Sequence, residues 1–179
     1  MHTASPVEEG ELKGFASGSF YGLAVDDGSI SIPTNEAGFR YGLSPQSDLG
    51  FKIYYWGMAF DYNHAVILED DFALSINPYL STGWAGGLGV GSGFVNILAD
   101  VVRTEEFTVT LGLKPGFFYA LGGIDDDFSS TTGGAMGAMA GVRLDLDPRF
   151  SLMPTIDVVT PTSDFGTGWL YNVGVAVMF

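Results

Sequence analysis

The sequence predicts an all-β fold: one eight-stranded antiparallel up-and-down barrel that spans a membrane. Three observations carry this. Apolar residues recur at every second position in segment after segment, with turn chemistry between them. The connections alternate between short and long, the mark of a transmembrane barrel with turns at one end and loops at the other. The face opposite the apolar one reads Thr, Gly, Ala, Ser and Asn with isolated charges, whereas a soluble barrel would carry Lys, Glu, Gln and Arg there. Glycine at 26 of 179 residues and aromatics at 14% suit strands and turns better than helices.

Residues 1–11 read as an N-terminal extension to a single barrel domain over 12–179. The first strand is expected at 12–25, followed by a long loop over 26–48 and a second strand over 50–67, "GFKIYYWGMAFDYNHAVI". Strands follow at 72–84 and 88–102. The cleanest alternation lies at 107–121, where Phe107, Val109, Leu111, Leu113, Phe117, Tyr119 and Leu121 oppose Thr108, Thr110, Gly112, Lys114, Gly116 and Ala120. Residues 135–146, 150–160 and 168–179 complete the set. Short turns are expected at "LEDD" (68–71), "RTEE" (103–106) and "LDPR" (146–149), and longer connections at 26–48, 85–89, 122–134 and 160–168. Pro78, Pro115 and Pro154 fall inside strands, and each predicts a bulge or a misplaced strand end, because proline cannot donate to a ladder. Strands of this length meet the roughly 9 to 11 residues that cross a bilayer when tilted.

The formal net charge of −14 argues against nucleic acid and anionic membrane surfaces as partners, since both demand a basic face. Hydrophobic residues at 46% against 16% charged leave a surface that something other than water covers. No apolar run approaches the roughly 18 to 20 residues of a spanning helix. There is no cysteine, hence no disulfide or thiolate metal site, and no cofactor motif. The start, "MHTASPVEEGE", lacks the basic and apolar regions of a secretory signal, so a mature or engineered terminus is expected.

An eight-stranded barrel has an interior just wide enough for side chains, which places the small face inward and the apolar face toward lipid. Trp56, Tyr62, Trp84, Phe107, Tyr119, Phe150, Trp169, Tyr171 and Phe179 then form interfacial aromatic girdles. The last segment, "WLYNVGVAVMF", sets Tyr171, Val173, Val175, Val177 and Phe179 on one face. With these residues the chain resembles the bacterial outer-membrane β-barrels, in strand count the small eight-stranded OmpA- or OmpX-type. The resemblance implies a Gram-negative outer membrane, with lipid and lipopolysaccharide as surroundings. It also implies that those five residues act as the signal read by the barrel-assembly machinery.

The inward face is expected to carry a polar cluster of Asp61, Asp100, Lys114, Arg143, Asp145 and Asp157, with Asn63, Asn77, Asn96 and Thr155 among them. Lys114 and Arg143 would centre a salt-bridged plug, because buried charges must pair. If the lumen conducts, its acid excess gives a small cation-leaning, porin-like channel. Asp26, Asp27, Glu36, Asp48, Asp125, Asp126, Asp127 and Asp164 read as acidic loop residues. Asp125, Asp126 and Asp127 could form a weak cation site bridging to lipopolysaccharide phosphates, although no EF-hand spacing is present. Catalysis has little to work with: His2 lies in the extension, and His64 shares the lipid-facing parity of Met58, Phe60 and Tyr62. The glycine-rich "GLGVGSG" and "GGAMGAMAG" lack the strand-to-helix setting of a phosphate loop. The expected role is therefore non-enzymatic, structural or surface recognition through a protein or ligand at the loops. A soluble lipocalin-like barrel holding an apolar ligand is the remaining alternative.

Overall fold

A computed structural model describes residues 3–25, 28–85, 88–122, 129–147, 149–162 and 168–179. Ten strands alternate along the chain: β1 (Leu12–Val25), β2 (Gly28–Ser44), β3 (Ser47–Tyr54), β4 (Gly57–Leu68), β5 (Ala73–Ala85), β6 (Leu88–Arg103), β7 (Phe107–Gly122), β8 (Ser129–Asp147), β9 (Phe150–Pro161) and β10 (Trp169–Met178). Each pairs antiparallel with its sequence neighbours, and β10 returns to β1 to close the barrel. Closure satisfies both edges, which an open sheet would leave as rows of unpaired amides. One end, here the terminal end, carries Leu12, Phe179 and the connections at 45–46, 69–72 and 104–106. The other is the far end.

Ten strands replace the expected eight, and both additions fall in residues 26–67. Residues 28–44 form β2 rather than a loop. The reason is a face that changes character: Ile30 and Ile32 turn inward at the far rim, and Glu36 at mid-strand and Arg40 below it also turn inward, so no apolar-out alternation is visible. The expected single strand over 50–67 is the hairpin β3–β4, turning at Tyr55 and Trp56. That turn hides in an apolar run. Its trace is a shift of phase, since Leu49, Phe51 and Ile53 take the outward odd positions while Met58, Phe60 and Tyr62 take the outward even ones. The far end is correspondingly less loop-rich than expected, with only two residues between β1 and β2, β3 and β4, and β5 and β6.

The prolines cause neither bulges nor strand ends. Pairing lapses for two residues beside Pro78 on the β4 side, between Asp61↔Tyr79 and His64↔Ile76, and resumes in the same register. Similar gaps flank Pro115 on the β6 side and Pro154 on the β8 side. Each proline thus forfeits a donor to one neighbour and keeps its pairing with the other, Pro78 with Val95, Pro115 with Met136 and Pro154 with Val175. Register shifts sit instead at Gly42/Ser44, Ala65/Ile67, Asp100/Val102 and Asp145/Asp147, all toward the terminal end.

The outward face is apolar around the circumference. Ile53, Phe60, Leu80, Leu111, Leu113, Val173 and Val175 are each 45–58% exposed. Outward glycines lie beneath aromatic rings of the neighbouring strand: Gly14 under Phe179, Gly22 under Tyr171, Gly91 under Tyr119 and Gly93 under Phe117. A Cβ at any of the four would collide with its ring, so the close approach requires glycine there.

Candidate functional site

The lumen is the part of the molecule where polar and charged groups converge, and its two halves differ. In the terminal half, residues 3–10 fold into the barrel mouth as a strap instead of trailing from it. Gly10 turns the chain back with φ of 78°, a left-handed conformation that glycine adopts freely, and its amide donates to Gly42 O at 2.9 Å. The segment then meets two buried carboxylates. Asp100 accepts from the amides of Ala4 and Ser5, both at 3.0 Å, and from Ser5 Oγ and Thr110 Oγ1, both at 2.6 Å. Asp48 accepts from the Val7 amide at 2.8 Å. Asn63 Nδ2 donates to the carbonyls of Thr3 and Ala4. Ala4 is fully buried against Ala73 and Leu98. A carboxylate removed from water must be met by several donors, and the strap supplies backbone amides where the wall has none.

Above the strap, Arg40 joins Asp48, through Nε at 2.9 Å, to Asp61, through Nη2 at 2.7 Å. The charge is passed on by amides: Asn77 Nδ2 donates to Asp61 at 2.8 Å and Asn96 Nδ2 donates to Asn77 Oδ1 at 2.7 Å. Because every donor in this relay points toward Asp61, its free end, Asn96 Oδ1, is an acceptor. Arg40, Asp48, Asp61, Asn77 and Asn96 come from five consecutive strands, so the network braces about half the circumference.

The far half is aromatic and more open. Lys52 Nζ donates to Glu36 at 3.0 Å, Tyr21 Oη donates to the same carboxylate at 2.9 Å, and Lys52 lies 5.4 Å from the Tyr79 ring centroid. Across the lumen Lys114 pairs with Asp157 and lies 5.3 Å from the Phe94 centroid. Phe94, Ala135 and Val159 pack together with Tyr79, Phe118 and Leu170 along the wall. Between these groups is a cavity of about 470 Å³, within the range of small-molecule sites.

The six residues expected as one cluster are separated. Asp61 belongs to Arg40, and Asp100 to the strap. Lys114 and Asp157 pair in the far half, while Arg143 pairs with Asp145 at 3.0 Å near the terminal end, where Ser151 also binds Asp145. The centre of the charge network is Arg40 rather than Lys114 and Arg143. Arg40, Lys52, Glu36 and Asp48 escaped sequence reasoning because they lie in the misread region. Glu36 and Asp48, expected in acidic loops, are 9% and 1% exposed inside the lumen. The phase shift between Ile53 and Met58 was the signal that could have found Lys52 and Asp48.

Tyr171, Val173, Val175, Val177 and Phe179 share the outward face, and Phe179 exchanges both backbone hydrogen bonds with Gly14, at 2.8 and 2.9 Å. His64 points outward, stacked on Tyr62 with ring centroids 6.3 Å apart. His2, Asp26, Asp27, Asp125, Asp126, Asp127 and Asp164 lie outside the described residues. Among the described residues, no group of three or more His, Cys, Asp or Glu side chains could hold a metal ion.

No protein-family model matches the sequence, and no curated protein matches it. Solved structures do. That of Neisserial surface protein A aligns with a TM-score of 0.53 at 12% identity, covering 93% of this chain and 95% of that one. The N-terminal β-barrel domain of Pseudomonas aeruginosa OprF aligns at 0.44 and 10% identity, over 97% of this chain and 100% of that one. Ail, the attachment invasion locus protein of Yersinia pestis, aligns at 0.42 and 11%, over 96% and 99%. The first of these likenesses is one of fold, a closed all-β barrel.

Proposed function

We propose that this chain is a non-enzymatic outer-membrane barrel of a Gram-negative-type bacterium, closed to through-flow, whose far end faces outward for structural support or surface recognition. The observation that carries the reading is the joint arrangement of wall and lumen. An apolar belt surrounds the barrel, while inside the strap and the Asp48–Arg40–Asp61 bridge obstruct the terminal half. Such a belt suits acyl chains, and a bilayer accepts β-structure only when every backbone amide is paired by closure. The terminal end is then periplasmic. Tyr171, Val173, Val175, Val177 and Phe179 are the residues offered to the assembly machinery, with lipid and lipopolysaccharide as the surroundings of the finished barrel.

The test pairs two measurements on detergent-refolded protein. Boiled and unboiled samples should migrate differently on SDS-PAGE, and planar bilayers containing the intact chain should show no steady conductance. Monodisperse behaviour in detergent-free buffer would overturn the membrane reading. Steady cation-selective conductance would replace the closed barrel with the channel alternative.

A further inference from the structure

We propose that the far-half cavity is a binding site for a small molecule with an apolar body and a hydrogen-bond-donating, non-anionic end. It deepens the surface-recognition reading and rests on that reading only for the direction of access. Three features define the ligand.

The first is misplaced hydrophobicity. Inward apolar residues nearer the terminal end, such as Phe15, Ala73 and Leu98, are buried among polar neighbours, yet at the far rim Leu23, Ile30 and Ile32 line the cavity and are 42%, 70% and 52% exposed. These side chains face the lumen rather than the outer surface, so acyl chains do not cover them. With Phe94, Phe118 and Leu170 they form a wall that water solvates poorly.

The second is a set of acceptors at one place. Asn96, Asp157 and Asn172 line this cavity, and the Oδ1 atom of each is buried with no hydrogen-bond partner among the described residues. Asn96 is 2% exposed, and the relay to Asp61 fixes which of its atoms remains free. Asp157 and Asn172 are directly opposite one another on β9 and β10, so a single group with two or more N–H or O–H bonds could reach both.

The third is charge. Lys52 and Lys114, the two cations of the lining, are engaged by Glu36 and Asp157. An incoming anion would meet two lysines whose charges are already neutralised by Glu36 and Asp157, on a chain of net charge −14. A neutral or cationic donor finds three acceptors. Because the strap blocks the terminal half, the molecule enters and leaves through the far end, and the site binds without conducting.

Phenethylamine, phenylacetate and ethylbenzene, titrated calorimetrically into the barrel in detergent-free lipid nanodiscs, test this. Phenethylamine should bind about tenfold more tightly than phenylacetate, the scale of a hydrogen bond made against one denied. Asn172→Leu should weaken phenethylamine several-fold and leave ethylbenzene unchanged. Met139→Trp, which fills the cavity from its wall, should abolish binding of all three while heat-modifiable mobility, the check on folding, is retained. Phenylacetate binding as tightly as phenethylamine, no binding by any probe, or binding that survives Met139→Trp would overturn the proposal. Conductance is recorded separately, so a barrel that conducts sinks the closed reading alone, and one that stays closed but binds nothing sinks the site alone.

Discussion

In the terminal half of the lumen Asp48 and Asp100 are 1% and 0% exposed, and each is met by donors: Arg40 and the Val7 amide for one, Thr110 and the strap for the other. In the far half the side chains of Lys114 and Asp157 keep 15% and 23% of their surface, and Asp157 leaves one oxygen without a partner. The same strands build both regions. The difference teaches that the two most deeply buried carboxylates, Asp48 and Asp100, are the ones to which a second segment brings backbone donors, whereas Lys114 and Asp157 pair at the edge of an unfilled space. One half is braced and the other is adaptable.

The sharpest way to break that contrast is Arg40→Ala. It leaves Asp48 and Asp61 buried without their shared cation, and stability should fall by about 3–5 kcal/mol, read from the urea midpoint of protein folded into vesicles. Next comes the wall that both halves share. Leu113→Arg puts a charge on the outward face and should cost about 2–4 kcal/mol if that face meets the middle of a bilayer, while a negligible cost would show that it meets water. Asp100→Ala removes the acceptor that holds Ala4 and Ser5. It should cost about 1–3 kcal/mol, expose residues 3–10 to protease, and raise bilayer conductance above that of the intact chain. Lys114→Met should cost at most about 1 kcal/mol, because both members of that pair face open space and keep some solvent. Equal losses from Arg40→Ala and Lys114→Met would erase the distinction between the halves.

The first strand and the last six were legible in the sequence because outward-facing apolar residues alternate there with small and polar ones. Residues 26–67 were not, for two physical reasons. On β2 the inward face changes along its length, from Ile30 and Ile32 at the rim to Glu36 and Arg40 below, so neither face reads as consistently apolar. On β3 and β4 the two-residue turn is made of Tyr55 and Trp56, neither of them a turn former, and only the change of phase betrays it. The prolines misled because a ladder can lose one donor without losing register. The strap was beyond reach altogether, since its acceptors Asp48 and Asp100 stand 41 and 96 residues from the amides they bind. Of the candidate site, the inward charges on β4 through β9 could be named from parity, but not who pairs with whom, because partners are set by strand order and tilt.

The seam between β1 and β10 joins stretches of chain 145 or more residues apart, with no turn to hold them together. Phe179 and Tyr171 lie over Gly14 and Gly22 like two clasps on a cuff, and Phe179 adds a reciprocal pair of amide bonds at the lower edge. Removing that one residue would undo a clasp and both bonds together, so the cuff would unfasten from its hem upward while every other joint stayed sewn.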